Sequence, residues 1–302
     1  MHRDNPEREL MPIGVVVASL RPEYPDVSHS SLRFLEREGL ITPTRTPGGH
    51  RLFTAADLER VRQIKAWQGQ RLSLEQIRQR LAERDATGSP TEVANQFLEL
   101  ALAGKLEQAQ RVVLTASDLG LPLEELYLSV LRPALWELGN RWERGEVTVA
   151  QEKEVSHVAR DLIAELGVRA STVVDGVNNG VVAACVAGER HELGLLMVSG
   201  LLRKRGVSVH VLGADVATAF LVDAVRHRQP PAVLLSVTGD EYLPAIRVVA
   251  NALRAIRTIP QLLAGGQAVE RQADLVAGWG VTPMIRHDTG QFDSMARNLH
   301  GE

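Results

Sequence analysis

After residue 179 the chain falls into a rhythm that few folds can accommodate. Apolar runs at 180–188 (GVVAACVAG), 207–214 (VSVHVLGA), 231–239 (PAVLLSVTG) and 259–266 (IPQLLAGG), then a short VTPMI, alternate with stretches of helical periodicity. A strand that is apolar along its whole length is covered on both faces, and alternating strands and helices build a parallel sheet. This predicts an α/β domain over 179–300, Rossmann-like in the flavodoxin manner. In such sheets ligands bind beyond the carboxyl ends of the strands. Glu189, His191 and Gly194 follow the first strand there, Ser236 and Thr238 end the third, and Gly265 and Gly266 end the fourth.

These residue types have a shared chemistry. A neutral imidazole either packs locally or ligates a transition metal through one ring nitrogen. A nearby carboxylate can bond the other nitrogen and orient the ring. Glycines leave room for close approach of a bulky group. One His, two hydroxyls and a glycine slot along one sheet edge suit a large planar metallo-cofactor with a buried tail.

Upstream, 93–172 shows four helical patterns, 93–103, 105–118, 122–143 and 149–168, broken at Gly104, Gly120 and Gly145. Short connections favour an antiparallel four-helix bundle. Thr148 and Gln151 make a capping box for the last helix, which places Glu152 in its first turns, near Trp142 at the end of the preceding one. The structural alternative has Trp142 in the core and Glu152 favouring the helix dipole.

Residues 12–84 read differently. IGVVVASL (13–20) is a short helix, and Ser28 caps a second in which Leu32 and Leu35 point inward and Arg33 and Arg37 outward. Two short helices across a tight connection suggest helix-turn-helix. A hairpin around Pro47-Gly48-Gly49 follows, then helices opened by Thr54 with Asp57 and by Ser73 with Gln76. His29, Ser30, Ser31 and Arg33 could reach a major groove, while Arg45, His50 and Arg51 flank the hairpin tip where phosphates would lie. Residues 1–85 carry 14 Lys and Arg against 12 Asp and Glu, whereas the whole chain of 302 residues has net charge −3. A locally basic end on an acidic body fits a DNA-binding module. The ATGSPTE stretch, within 85–92, reads as a linker, and residues 1–10 as disordered.

One cysteine, Cys185, excludes an intramolecular disulfide framework and suits a reducing cytoplasm. Neither a signal peptide nor a membrane span is expected.

LRFLEREGLITPTRTPGGHRLFTAADLERVRQI resembles the N-terminal domain of the MerR family of transcription regulators, which implies a winged helix-turn-helix and a dimer on a pseudo-palindromic site. Cysteines of the metal-sensing members are missing here. Glu189-x-His191-x-x-Gly194, Ser236-x-Thr238 and Gly265-Gly266 resemble the cobalamin-binding domain. By that resemblance His191 is the lower cobalt ligand, and the displaced cofactor tail threads beside the serine and glycines. Helices before such a domain look like the cap over its upper face, and Trp142-x9-Glu152 resembles the CarH/LitR-type photoreceptor repressors. The resemblance implies adenosylcobalamin as sensor ligand, double-stranded DNA as partner, a homo-oligomer (dimer or tetramer), light-driven release of the adenosyl group, and no enzymatic activity. Two positions depart. Glu143 stands where well-known members have a His, and Lys153 follows Glu152 in place of another; His157 is the nearest substitute. A light-independent cobalamin-sensing or partner-regulated regulator, or a corrinoid methyltransferase or mutase component, is the alternative.

Overall fold

The computed structural model describes residues 10–46, 48–173, 180–256, 260–284, 292–293 and 295–297. Pro47 of the hairpin, the disorder expected for residues 1–9 and the outer limits of the α/β domain at 179 and 300 lie outside them. The chain divides into two compact units, 1–87 and 88–302.

In the first unit, β1 (Met11–Pro12) leads into α1 (Ile13–Leu20), and α2 (His29–Arg37) follows the turn. The hydroxyls of Ser28 and Ser31 close a reciprocal capping box that starts α2. β2 (Thr44–Arg45) and β3 (Arg51–Phe53) form the hairpin, turned at Gly49 with φ +78. α3 (Ala55–Gly69) and α4 (Leu74–Thr87) complete the unit. β1 pairs with β3, giving a three-stranded order β1-β3-β2. A two-residue strand leaves no sequence pattern, so β1 is a finding of the structure. Val16, Leu20, Leu32, Leu35, Phe53, Val61, Ile64 and Trp67 build the core, as the periodicity of α2 and α3 requires.

The expected linker at 85–92 shrinks to Gly88 and Ser89. Residues 85–87 continue α4, and α5 (Pro90–Leu102) begins at once. Ser89 accepts from the Glu92 amide and Glu92 returns the bond, with Pro90 at the first helical position where its missing N–H costs nothing.

In the second unit α6 (Leu106–Asp118) and α7 (Leu123–Glu125) follow, then a π-helical turn (Leu126–Leu131) running directly into α8 (Arg132–Glu143). The single helix expected over 122–143 is therefore wound wider in its middle. Pro133 explains it, since it has no N–H to donate and its ring crowds the carbonyl four residues back. α9 (Val149–Ala170) starts at the predicted Thr148–Gln151 capping box.

β4 (Val181–Val186), α10 (Leu193–Lys204), β5 (Val209–Val216), α11 (Thr218–Arg228), β6 (Ala232–Ser236), α12 (Leu243–Arg254), β7 (Gln261–Gly265), α13 (Gln267–Arg271), α14 (Ala273–Gly278) and β8 (Thr282–Pro283) make the α/β part. All five strands are parallel, in the order β5-β4-β6-β7-β8. Counted from the first strand of the sheet this is 2-1-3-4-5, the flavodoxin-like order, whose switch point lies between β4 and β6. Alternate side chains separate the faces. Val181, Ala183 and Cys185 join a core shared with α5–α10. Val182, Ala184 and Val186 join the core of α11–α14. One continuous apolar core thus fixes the helices of 90–170 to the sheet through α10.

Candidate functional site

The site forms at the switch point. Glu189, on the loop leaving β4, is wholly buried. One carboxylate oxygen accepts from the His191 amide at 2.8 Å and lies 2.7 Å from His191 Nδ1. The other accepts from the Thr238 amide at 2.6 Å and the Gly239 amide at 3.3 Å, beyond β6. Burial pushes this carboxyl up, but the His191 ring and the amides of His191, Thr238 and Gly239 outweigh it and hold the group at about 2. A charged acceptor requires the proton on Nδ1, so the lone pair of the neutral ring sits on Nε2. That ring is 76% exposed. The Glu189 bond raises its proton affinity, burial opposes this, Glu152 adds to the rise and Lys153 subtracts.

Asp215 tightens the same loop. Its carboxylate accepts from the Gly188 amide at 2.7 Å and its own amide donates to Glu189 O at 2.8 Å. It does so in the left-handed region, φ +52, a conformation costly for a non-glycine residue.

The glycines divide by purpose. A Cβ at Gly266 would lie 2.1 Å from the Val237 carbonyl oxygen, and φ is +113, so the fold itself demands glycine there. A Cβ at Gly194 would meet nothing within 4 Å, and one at Gly265 only Met284 at 3.6 Å. These two positions leave space that the protein does not need. Ser236 closes β6, nearly buried, and Thr238 serves the site through its backbone.

Trp142, in the last turn of α8, is 47% exposed, so the core alternative does not hold for it. Glu152 accepts from Ser156 Oγ at 2.8 Å and pairs with Lys153 at 3.1 Å. Glu143 is exposed, and His157 faces outward at 74% exposure, 3.8 Å from Asp161. Arg160 of α9 is ion-paired with Glu192, the residue after His191.

In the first unit His29, Ser30, Arg33 and His50 are exposed. Ser31 spends its hydroxyl on the cap. Arg45 and Arg51 both bind Glu36, at 2.7 and 2.5 Å, so the hairpin arginines are fixed to α2 in addition to whatever they meet outside. Sequence reasoning missed Glu36, Asp215, Arg160 and Glu192. Glu152, Ser156 and Arg160 do recur every four residues on one face of α9, a signal that was available.

Residues 24–84 match the MerR HTH family regulatory protein family, and 93–166 and 179–286 match two B12 binding domain families. HTH-type transcriptional repressor CarH of Myxococcus xanthus is 31% identical over 78% of this chain and 84% of its own length. The chain belongs to the CarH-type family of B12-binding MerR regulators. CarA of the same organism, also named a repressor, is 26% identical over 84% of this chain and 92% of its own. The monomethylamine corrinoid protein of Methanosarcina barkeri shares the fold of the second unit, with TM-score 0.57 at 16% identity over 70% of this chain and all of that one. This CarH-type chain is a B12-dependent DNA-binding regulator and not an enzyme. Among the described residues no helix is long and apolar enough to cross a membrane.

Proposed function

We propose that this protein is a transcriptional repressor that uses adenosylcobalamin as a light-sensitive ligand. The carrying observation is His191, oriented from behind by a wholly buried, four-fold bonded Glu189, with Nε2 open at the carboxyl edge of the sheet. Among the described residues no group of three or more His, Cys, Asp or Glu side chains could hold a bare metal ion. A metal carried in its own macrocycle needs one protein ligand, and His191 supplies it. Gly194 and Gly265 fit the same group, because each omits a side chain where the protein has no steric reason to. Ser236, Thr238 and Gly266 line the neighbouring strand ends for the cofactor tail.

In this reading 93–172 is a four-helix cap, with Trp142 and Glu152 flanking the adenosyl group. Exposure of an indole at 47% suits a surface that a ligand covers. When bound, the cofactor supplies a cobalt–carbon bond that light breaks. Trp142 would pack against that upper group, so its release would leave the indole uncovered and would disfavour one assembly state relative to another. The N-terminal unit is a winged helix-turn-helix, with His29, Ser30, Ser31 and Arg33 at the major groove and Arg45, His50 and Arg51 at the backbone. Oligomerisation multiplies these contacts by avidity.

Size-exclusion chromatography with adenosylcobalamin, in darkness and after green light, tests the reading. The expected result is a large cobalamin-bearing species that shrinks on illumination. Stable binding with no change of size refutes the light switch. That outcome favours a light-independent cobalamin sensor, a second reading kept by Glu143 and by the Lys153–Glu152 ion pair.

A further inference from the structure

Two contacts fix how α9 lies against α10. Gly167 of α9 meets Gly200 of α10 so closely that a Cβ on the first would lie 3.7 Å from the second's Cα. Tyr127 closes over both, its hydroxyl donating to the Ile163 carbonyl at 2.6 Å. Seven residues earlier on α9 and eight earlier on α10, Arg160 pairs with Glu192. Offsets that agree within one residue and share the same sign mean that the helices run side by side in the same direction. α10 starts at Leu193, whereas α9 starts at Val149. From Arg160 back to Glu152 the helix projects about 12 Å beyond the start of α10. That overhang lies on the side of the loop bearing His191.

We propose that Arg160 is a positioning residue whose ion pair with Glu192 sets the height of the α9 overhang above His191, and so selects the upper-face group of the bound cobalamin. This rests on the cobalamin reading of the site. Arg160 acts through α9 and does not touch the cofactor. The glycine crossing is the fixed point, about 10 Å along the helix from Arg160. The overhang also packs into the helical core through Val155, Val158 and Ala159, so losing the pair lets it shift together with the helices it packs against, about that crossing. His191 stays where it is, because Glu189 remains bound to the amides beyond β6. The Glu192 side chain is 12% exposed and that of Arg160 47%, so one end of the pair is shielded from water.

The test titrates the full-length protein in the dark with adenosylcobalamin and with methylcobalamin, which differ only in the upper group. Proteins compared are wild type, Arg160→Gln, Glu192→Gln, Arg160→Lys and the reversed pair R160E/E192R, with the melting temperature of each apo form. Each glutamine variant is expected to weaken adenosylcobalamin about fivefold, the top of the range for a partly exposed pair, and to leave methylcobalamin within about twofold. The lysine variant falls between, and the reversed pair recovers most of the loss. Equal weakening of both ligands, no weakening, or a loss that reversal does not rescue overturns the proposal. So does a lowered melting temperature with unchanged selectivity. Failure of the cobalamin reading looks different. Wild type then binds neither ligand, or the axial-nitrogen splitting in the electron paramagnetic resonance of bound cob(II)alamin stays a triplet when the protein is labelled with 15N-histidine.

Discussion

Replacing Glu189 by Gln keeps the shape of the side chain and removes its charge. The carboxylate receives four N–H donors, two on each oxygen. Glutamine has one acceptor oxygen, so its NH2 must face either the His191 pair or the Thr238 and Gly239 pair, donor against donor. A buried donor left this way costs about 1–3 kcal/mol. The pH linkage gives a second route to the magnitude. The group sits at about 2 instead of its ordinary 4.5, which corresponds to about 3 kcal/mol; the bond to His191 belongs to both partners and is counted once. A depressed carboxyl stabilises the fold above its unfolded pKa and loses that contribution as pH falls from about 4.5 toward 2. For a unit of this size about 3 kcal/mol lowers the melting temperature by about 6–12 °C. Scanning calorimetry of apo wild type and variant should show that drop in the transition of the 88–302 unit at about pH 7, with the gap narrowing at about pH 4 and below. Hydrogen exchange should show the Thr238 and Gly239 amides losing protection by about a hundredfold. A drop under about 2 °C, or a gap that does not change with pH, refutes the reasoning.

Other perturbations separate fold from site. Gly266→Ala brings a Cβ to 2.1 Å from a backbone oxygen at positive φ, so it should cost more than about 3 kcal/mol and be visible as loss of folded protein on expression. Gly265→Ala, whose Cβ meets only Met284 at 3.6 Å, should leave the apo melting temperature unchanged and weaken cobalamin binding in a titration. Tyr127→Phe removes the bond to the Ile163 carbonyl and should destabilise the 88–302 unit by about 1–2 kcal/mol in the same calorimetric assay. On DNA, Arg33→Ala should lower affinity and relax base preference at the position it meets in the major groove, read by titrating operator variants. Glu36→Gln, which releases Arg45 and Arg51, should raise affinity at low salt; no change in either variant would mean that these side chains face away from the duplex.

What could be read beforehand depended on how far each signal travels along the chain. Capping at Ser28, Thr54, Ser73 and Thr148 is local, three residues wide, and each cap formed as expected; that Ser31 returns the bond to Ser28 is a finding of the structure. Ser89-Pro90-x-Glu92 carries the same signal inside the ATGSPTE stretch, whose small polar composition points to a linker while its cap marks the start of α5. The π turn before Pro133 is a response of backbone to a missing donor, and periodicity averaged over 122–143 hides a single extra residue. At the site, Glu189 and His191 are two residues apart and could be paired from the sequence. The amides of Thr238 and Gly239 could not, because a backbone donor has no residue type to mark it and lies 49 and 50 residues away.

The strand order supplies that missing step. Since β6 is the neighbour of β4 and not of β5, the loop after the first strand of the sheet must meet the end of the third. The carboxylate of Glu189 therefore spans the crevice that the reversal opens. Orientation of His191 is then a property of the topology as much as of the motif. A chain with the same Glu-x-His-x-x-Gly spacing, but whose third strand joined the other edge, would hold Glu189 on one side only. Its imidazole would be free to turn.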